Sequence, residues 1–481
     1  MMETIKNNKI DHSKINISLF CGGRGSSELI KGFLSLKNCN LNLLINGYDD
    51  GKSTGRIRNF VGKMLGPSDF RKNISTILLN CDHEWQHYLG ELFEKRINTI
   101  NDFRKETKFL FDKNFSLIKK NIIYKNIPYR VVLSLQDCIN SFFHFVKSRR
   151  DIFDYSDCAI GNIIFSGMFI LKNKNFNDTV YSFVDLFDMP CSIHNVTDGK
   201  NLYLNVKTKS GKFIIDEGDI VDNTEKEEFK EIFFTKEKIN KKLNSSQIKS
   251  SLKKLTKLPN INKKILEVLE NSSIIVFGPG TQFSSLFPTY KTQKLNQCLS
   301  NLNAIKLLIL NLETDNDIYG KSGSEVLELI LEHLSHKKLG DNVDLILVDQ
   351  DYSKKFINLE KLRTTVSKKI MQTHCSLNGT VHDRDLVVSS IINSAKSLQP
   401  KIIEPLIKFC SIIVPTLNEG TRLFNTLDKI SNSKKIANLE IRFEIIVVDG
   451  ANEESIKNKV LNYGPQFRYI SGNSKYRGLS L

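Results

Sequence analysis

Three times in this chain a short apolar run stops at a cluster of glycine, hydroxyl and acidic residues, and that punctuation limits what the chain can fold into. The run Leu41, Leu43, Leu44, Ile45 gives way to Asp49-Asp50-Gly51, as the carboxyl end of a parallel strand does where it opens into a crevice. Ser53-Thr54-Gly55-Arg56 then starts a helix, so backbone N–H groups, two hydroxyls and the guanidiniums of Arg56 and Arg58 can converge on an anion. The stretch from Ile45 to Asn73 holds two adjacent carboxylates and five glycines. An Asp-Asp-Gly turn before a Ser/Thr N-cap is equally ordinary loop-to-helix punctuation, and both readings stand at this point.

Ile15 to Phe20 is a second such strand, running into Cys21-Gly22-Gly23-Arg24-Gly25-Ser26-Ser27. Glycines permit close backbone approach. Ser26 and Ser27 begin a helix whose Leu29, Ile30, Phe33 and Leu34 make an apolar face, so a phosphate can rest on the turn. The P-loop lysine is absent, which argues against that class of NTPase, and a plain tight turn is the competing reading. The third block, Ser272 to Ser285, reads SSIIVFGPGTQFSS. Gly278 and Gly280 expose N–H groups at a strand's carboxyl end, and Thr281, Ser284 and Ser285 add donors without charge, so a phosphate or diphosphate is expected here first.

The chain has 481 residues, 40% hydrophobic and 25% charged, which is enough for two or three domains. A formal net charge of +16 favours acidic partners such as nucleotides or phosphosugars. Lysine-rich segments such as Lys236 to Lys257 lack an interleaved aromatic stripe, so no nucleic-acid partner is expected. Nine scattered cysteines with no CxxC argue against a zinc site or a disulfide framework and fit a reducing cytosol. The flexible N-terminus, residues 1–14, lacks an apolar core, and no run reaches the roughly 18 apolar residues of a membrane span. A cytoplasmic protein without a transmembrane segment is expected. Residues 84–150 read as a helical insertion, with Phe103, Leu110, Phe111 and Phe115 at helical spacing. Packing is the preferred reading for Trp85 and for His83 and His87, which lack a third metal ligand.

In order, these blocks resemble the family containing 2-phospholactate transferase (CofD) and the gluconeogenesis factor (YvcK). GGRGSSELIKGF, DDGKSTGRIR and GPSDFRKN are similar to GGGTG, DDGGSSGRLR and PGDIRN of the YvcK branch, which the second block approaches more closely than the transferase branch. Gly22, Gly23 and Gly25 match the first block, Asp49, Asp50, Gly51, Ser53, Gly55, Arg56 and Arg58 the second, and Asp69, Arg71 and Asn73 the third. DCAIGNIIFSGMF at Asp157 to Phe169 is similar to a GxxxGN-type block that opens a buried helix. It carries over Gly161 and Asn162, whose amide suits a sugar hydroxyl. IIDEGDI sits at a GESxI-like block, where a strand-end turn is the preferred reading for Asp216 and Glu217. GPGTQFSS matches GPGSLYTS, Asn311 to Asp315 an N…T…GET-like run, and His382-Asp383 a terminal HD pair. The resemblance implies an α/β fold over residues 15–398, a doubly wound, Rossmann-like, mostly parallel sheet.

Beyond Pro400, CSIIVPTLNEG and FEIIVVDGANEES resemble the opening of a family-2 glycosyltransferase of GT-A fold. That resemblance implies a nucleotide grip by Thr416, Glu419 and Asp449. Residues 399–481 are too few for the whole fold and are expected to be silent alone.

The transferase branch implies magnesium-assisted transfer of a phospholactyl group from a nucleotide-linked donor to a deazaflavin acceptor. The regulator branch implies reversible binding of a UDP-sugar with output through conformation. A nucleotide or nucleotide-sugar ligand and a regulatory role in carbon or cell-envelope metabolism are expected first, then the transferase, then a glycosyltransferase component. Asp49 and Asp50 are the candidate catalytic residues, and Asp50 is the candidate ligand for magnesium. No organic cofactor is expected, and a homodimer is left open.

Overall fold

The computed structural model describes residues 14–111, 124, 126–215, 217–240, 242–350, 369–377, 379–398, 409–417, 419–432, 442–464 and 466–471. Phe115 and Asp216 lie outside them, as does the N-terminus up to residue 13. The chain divides into two compact units, Met1–Ile402 and Ile403–Leu481.

In chain order the strands of the first unit are β1 (Ile15–Phe20), β2 (Cys39–Ile45), β3 (Arg96–Ile97), β4 (Cys158–Ala159), β5 (Ser192–Asn195), β6 (Tyr203–Thr208), β7 (Phe213–Ile214), β8 (Phe229–Thr235), β9 (Ile274–Phe277), β10 (Ile305–Ile309), β11 (Leu345–Asp349) and β12 (Lys369–Thr373). Seven make one sheet in the order β12-β11-β10-β9-β1-β2-β5. Every pairing in it is parallel. Strands β9, β10 and β11 are buried along their whole length, because crossover helices cover both faces of a parallel sheet.

The chain winds outward from β1 through β2 to β5, then returns to the other side of β1 and winds outward again from β9 to β12. The reversal lies between β1 and β9, where Phe20 pairs with Phe277 and their rings stack at 5.3 Å. In such sheets the strand ends on either side of a reversal splay apart and leave a crevice. The α/β, mostly parallel, Rossmann-like fold expected from the sequence is the one observed.

Helix α1 (Ser27–Leu34) buries Leu29, Ile30 and Phe33. Helix α2 (Lys52–Val61) follows the Asp-Asp-Gly turn, and α3 (Ser68–Leu78) begins one residue after Pro67. Segment 84–150 holds the helices Glu84–Glu94, Ile100–Glu106 and Tyr129–Ser148, together with β3, which pairs antiparallel with β4. The helix Ile160–Leu171 is buried from Ile160 through Phe169. A small antiparallel sheet, β7-β6-β8, follows β5. Strand β7 ends at Ile214, and Glu217, expected in a strand-end turn, instead begins the short helix Glu217–Asp222. The second unit is a parallel sheet of β13 (Phe409–Thr416), β14 (Arg442–Asp449) and β15 (Phe467–Ser471), with helices Gly420–Ser431 and Glu454–Leu461. No helix among the described residues is long and apolar enough to cross a membrane.

Candidate functional site

The reversal point opens into a cavity of about 780 Å³, within the range of small-molecule sites. Its walls are the turn after β1, the Asp49–Thr54 segment, the start of α3, the turn after β9, the segment after β10, and the helix Glu217–Asp222. The glycine turns touch one another. A Cβ on Gly25 would lie 3.0 Å from Gly280 Cα and 3.0 Å from the Pro279 carbonyl oxygen. Buried Ser26 fastens the pair by donating its hydroxyl to the Pro279 carbonyl at 2.8 Å.

Of the residues singled out from the sequence, Gly23, Gly25, Asp49, Ser53, Thr54, Asp69, Gly280, Thr281 and Ser284 line this cavity. Asp49 accepts from the Gly51 N–H at 3.0 Å and from the Thr54 hydroxyl at 3.4 Å. Asp69 accepts from Lys72 at 3.0 Å and from the Ser285 hydroxyl at 3.5 Å.

The other expected residues stand behind the wall. Asp50 is buried and paired with Arg58 at 3.5 Å and Lys238 at 2.9 Å. Arg58, itself buried, donates to the carbonyls of Tyr48, Asp49, Met64 and Leu202 and to the Asn201 side chain. Gly55 is required by packing, because a Cβ there would sit 2.1 Å from the Asp50 carbonyl oxygen. Arg56 turns to Asp154 at 3.4 Å and to the Ser156 carbonyl. Asn73 donates to the carbonyls of Gly22 and Asp69, tying the glycine turn to α3. Asn162 donates to Ser68, and Gly278 packs beside Ser26. Arg71 is fully buried against Glu94 at 2.7 Å, and burial pulls its pKa below the usual arginine range.

The turn after β9 is largely satisfied from within. The Gly280 N–H donates to Asn311 at 2.9 Å, and Phe283 and Ser284 donate their N–H groups to Asp317 at 3.0 and 3.2 Å. The donors the sequence reserved for a phosphate there are therefore partly held by this chain's own carboxylate. Thr281 and Ser285 line the cavity beside the turn after β1, and their hydroxyls form a relay, Thr281 donating to Ser285 at 3.1 Å and Ser285 to Asp69.

Sequence reasoning missed several lining residues. Lys72 lies one helical turn from Asp69, so the i,i+3 spacing on α3 was the signal for it. Laid on Asp69 without a gap, the D-I-R-N pattern ends at Lys72 rather than at Asn73. Arg96, Asp157, Gly218, Val221 and Asp222 arrive from distant segments, with Arg96 held by Asp157 at 2.9 Å. His382 also lines the cavity, and burial drives its pKa down to about 4, so it is neutral. Its neighbour Asp383 instead caps the helix Arg384–Leu398 through the N–H groups of Asp385 and Leu386.

Among the described residues no group of three or more His, Cys, Asp or Glu stands close enough to hold a metal ion. Asp50 faces two cations.

In the second unit Thr416 and Asp449 are register partners at the ends of β13 and β14. Asp449 is fully buried and accepts from the N–H groups of Ala451 and Glu453 and from the Tyr469 hydroxyl at 2.8 Å. Glu419 sits at the start of the helix Gly420–Ser431 without capping it through its side chain.

Two crystal structures of protein BH3568 from Bacillus halodurans, one described as a member of the UPF0052 family, share this fold. Each aligns with a TM-score of 0.55 at 18% identity, covering 79% of this chain and 99% of that one. No curated protein matches the sequence. Residues 17–380 match the family described as 2-phospho-L-lactate transferase CofD. The glycine turns, the Asp49 segment and the turn after β9 fall inside that match, and the chain belongs to the CofD family.

Proposed function

We propose that the first unit binds a nucleotide or nucleotide sugar through its diphosphate, in the crevice between the turns after β1 and β9. The observation that carries this reading is the convergence of those two turns, in contact through Gly25 and Gly280, on a polar cavity large enough for such a ligand. The likeness of the second block to the YvcK branch favours a uridine diphosphate sugar and a regulatory output. Titration calorimetry of the whole chain with UDP-GlcNAc, UDP and GDP tests it. Binding of uridine diphosphates, weakened several-fold by Thr281→Val, is expected, and no heat with any diphosphate contradicts it.

A second reading is favoured by the family itself, whose description is that of a transferase. Here a phospholactyl group passes from a nucleotide-linked donor to an acceptor hydroxyl, and the nucleotide leaves. Preference for guanine nucleotides, with free nucleotide released only when an acceptor is present, would select this reading. For the second unit, the neighbouring strand ends at Thr416 and Asp449 support a nucleotide-binding remnant, whose signature is a second equivalent of UDP in the same titration.

A further inference from the structure

Among the described residues four cations line the main cavity, and each has a carboxylate partner: Arg24 with Glu94 at 2.9 Å, Lys52 with Asp222 at 3.5 Å, Arg96 with Asp157 at 2.9 Å, and Lys72 with Asp69 at 3.0 Å. They differ in how firmly they are built into the wall. The side chains of Arg24, Lys52 and Arg96 are 74%, 69% and 45% exposed, whereas that of Lys72 is 26% exposed against an Asp69 that is only 10% exposed.

The glycine turn after β1 is shaped around this pair. A Cβ on Gly23 would come 2.7 Å from Asp69 Oδ1, 2.9 Å from Lys72 Cδ and 3.0 Å from Lys72 Nζ. A side chain at residue 23 would have to displace Asp69 or Lys72. An anion resting on the Gly22–Gly25 turn therefore meets a fixed positive charge directly beside the backbone. Asp69 first and Asp49 further away hold the Lys72 pKa above the ordinary lysine value despite burial.

We propose that the Lys72 ammonium is the phosphate-neutralising cation of this cavity and stands in for a divalent metal, so that the chain binds its diphosphate ligand without magnesium. The inference deepens the diphosphate-binding reading above and rests on it. A magnesium ion drawn to Asp69 would have to displace an ammonium in contact with the same carboxylate, and two cations at that distance repel. Magnesium also binds through one or two carboxylates together with the ligand's own phosphates. Asp69 is the buried carboxylate beside the glycine turn, and Lys72 already occupies it.

The test is calorimetric titration of the whole chain with UDP and with inorganic pyrophosphate, once in EDTA and once in excess magnesium. Wild-type affinity is expected to agree between the two buffers within about threefold. Lys72→Met should weaken binding in EDTA by roughly tenfold or more, the scale of a lost charge-assisted hydrogen bond, while Lys72→Arg stays within a few-fold of wild type. Wild-type binding that disappears in EDTA and returns with magnesium overturns the inference and leaves the diphosphate reading intact. Full affinity in a folded Lys72→Met variant also overturns it. Should that variant fail to fold, with Asp69 left unpaired, the wild-type comparison between the two buffers decides alone. Absence of binding in both buffers overturns the inference and the diphosphate reading together.

Discussion

Asp317 shows how a residue outside every recognised block can govern the site. It is buried and accepts from the N–H groups of Phe283 and Ser284, so it holds the turn after β9 from behind. Burial, and secondarily the charge of Asp315, raise its pKa to about 7. An unfolded aspartate titrates near ~3.9, so between those values the folded chain keeps a proton that the unfolded chain releases. That contribution to stability is whole below the unfolded pKa and is lost as pH rises through the folded one. Asp317→Asn keeps an acceptor for both N–H groups and removes the titration. Its melting temperature should gain on the parent by several degrees between about pH 5 and about pH 8, and an offset that does not change with pH would contradict this. Asp317 was not legible because nothing local marks it. Asp49, Thr54, Gly23 and Thr281 were, because a turn at a strand's carboxyl end carries its own chemistry wherever the strand is placed.

The Asp49-Asp50 turn and helix α2 behave as one element fixed by Arg58. The guanidinium holds both ends of the turn and the approach to β6, and its side chain is 1% exposed. Arg56, two residues away on the same helix, has a side chain 36% exposed. The sequence treated the two as equivalent anion donors, since a short motif gives residue type but not the face on which a helix is buried. Arg58→Met should cost about 3–5 kcal/mol of stability, the scale for breaking a buried ion pair. Arg56→Ala should cost less than about 1 kcal/mol. Chemical denaturation of both variants checks the contrast, and equal losses would contradict it. The apolar runs that became β1, β2 and β9 were readable in the same way as α1, because parallel strands buried on both faces are nearly continuous in hydrophobic residues. The helix Glu217–Asp222 was not, because six residues are too few to show a helical period.

Across the whole chain, the first unit contains the complete family match and the cavity, and the second is a separate parallel sheet of three strands. Two further hollows, about 590 and 740 Å³, lie on the first unit away from the glycine turns, lined around Tyr290 and His333 and around Trp85 and Asp82. Topology separates the main cavity from these: among the described residues only it sits where the winding of the sheet reverses. The most direct measurement is therefore a crystal structure of the chain soaked with UDP or UDP-GlcNAc in the absence of divalent metal. Diphosphate density is expected between the turn after β1 and the turn after β9, with one phosphate oxygen in hydrogen-bond reach of Lys72 Nζ. Density confined to either of the other hollows, or a main cavity that stays empty at saturating ligand, would contradict it.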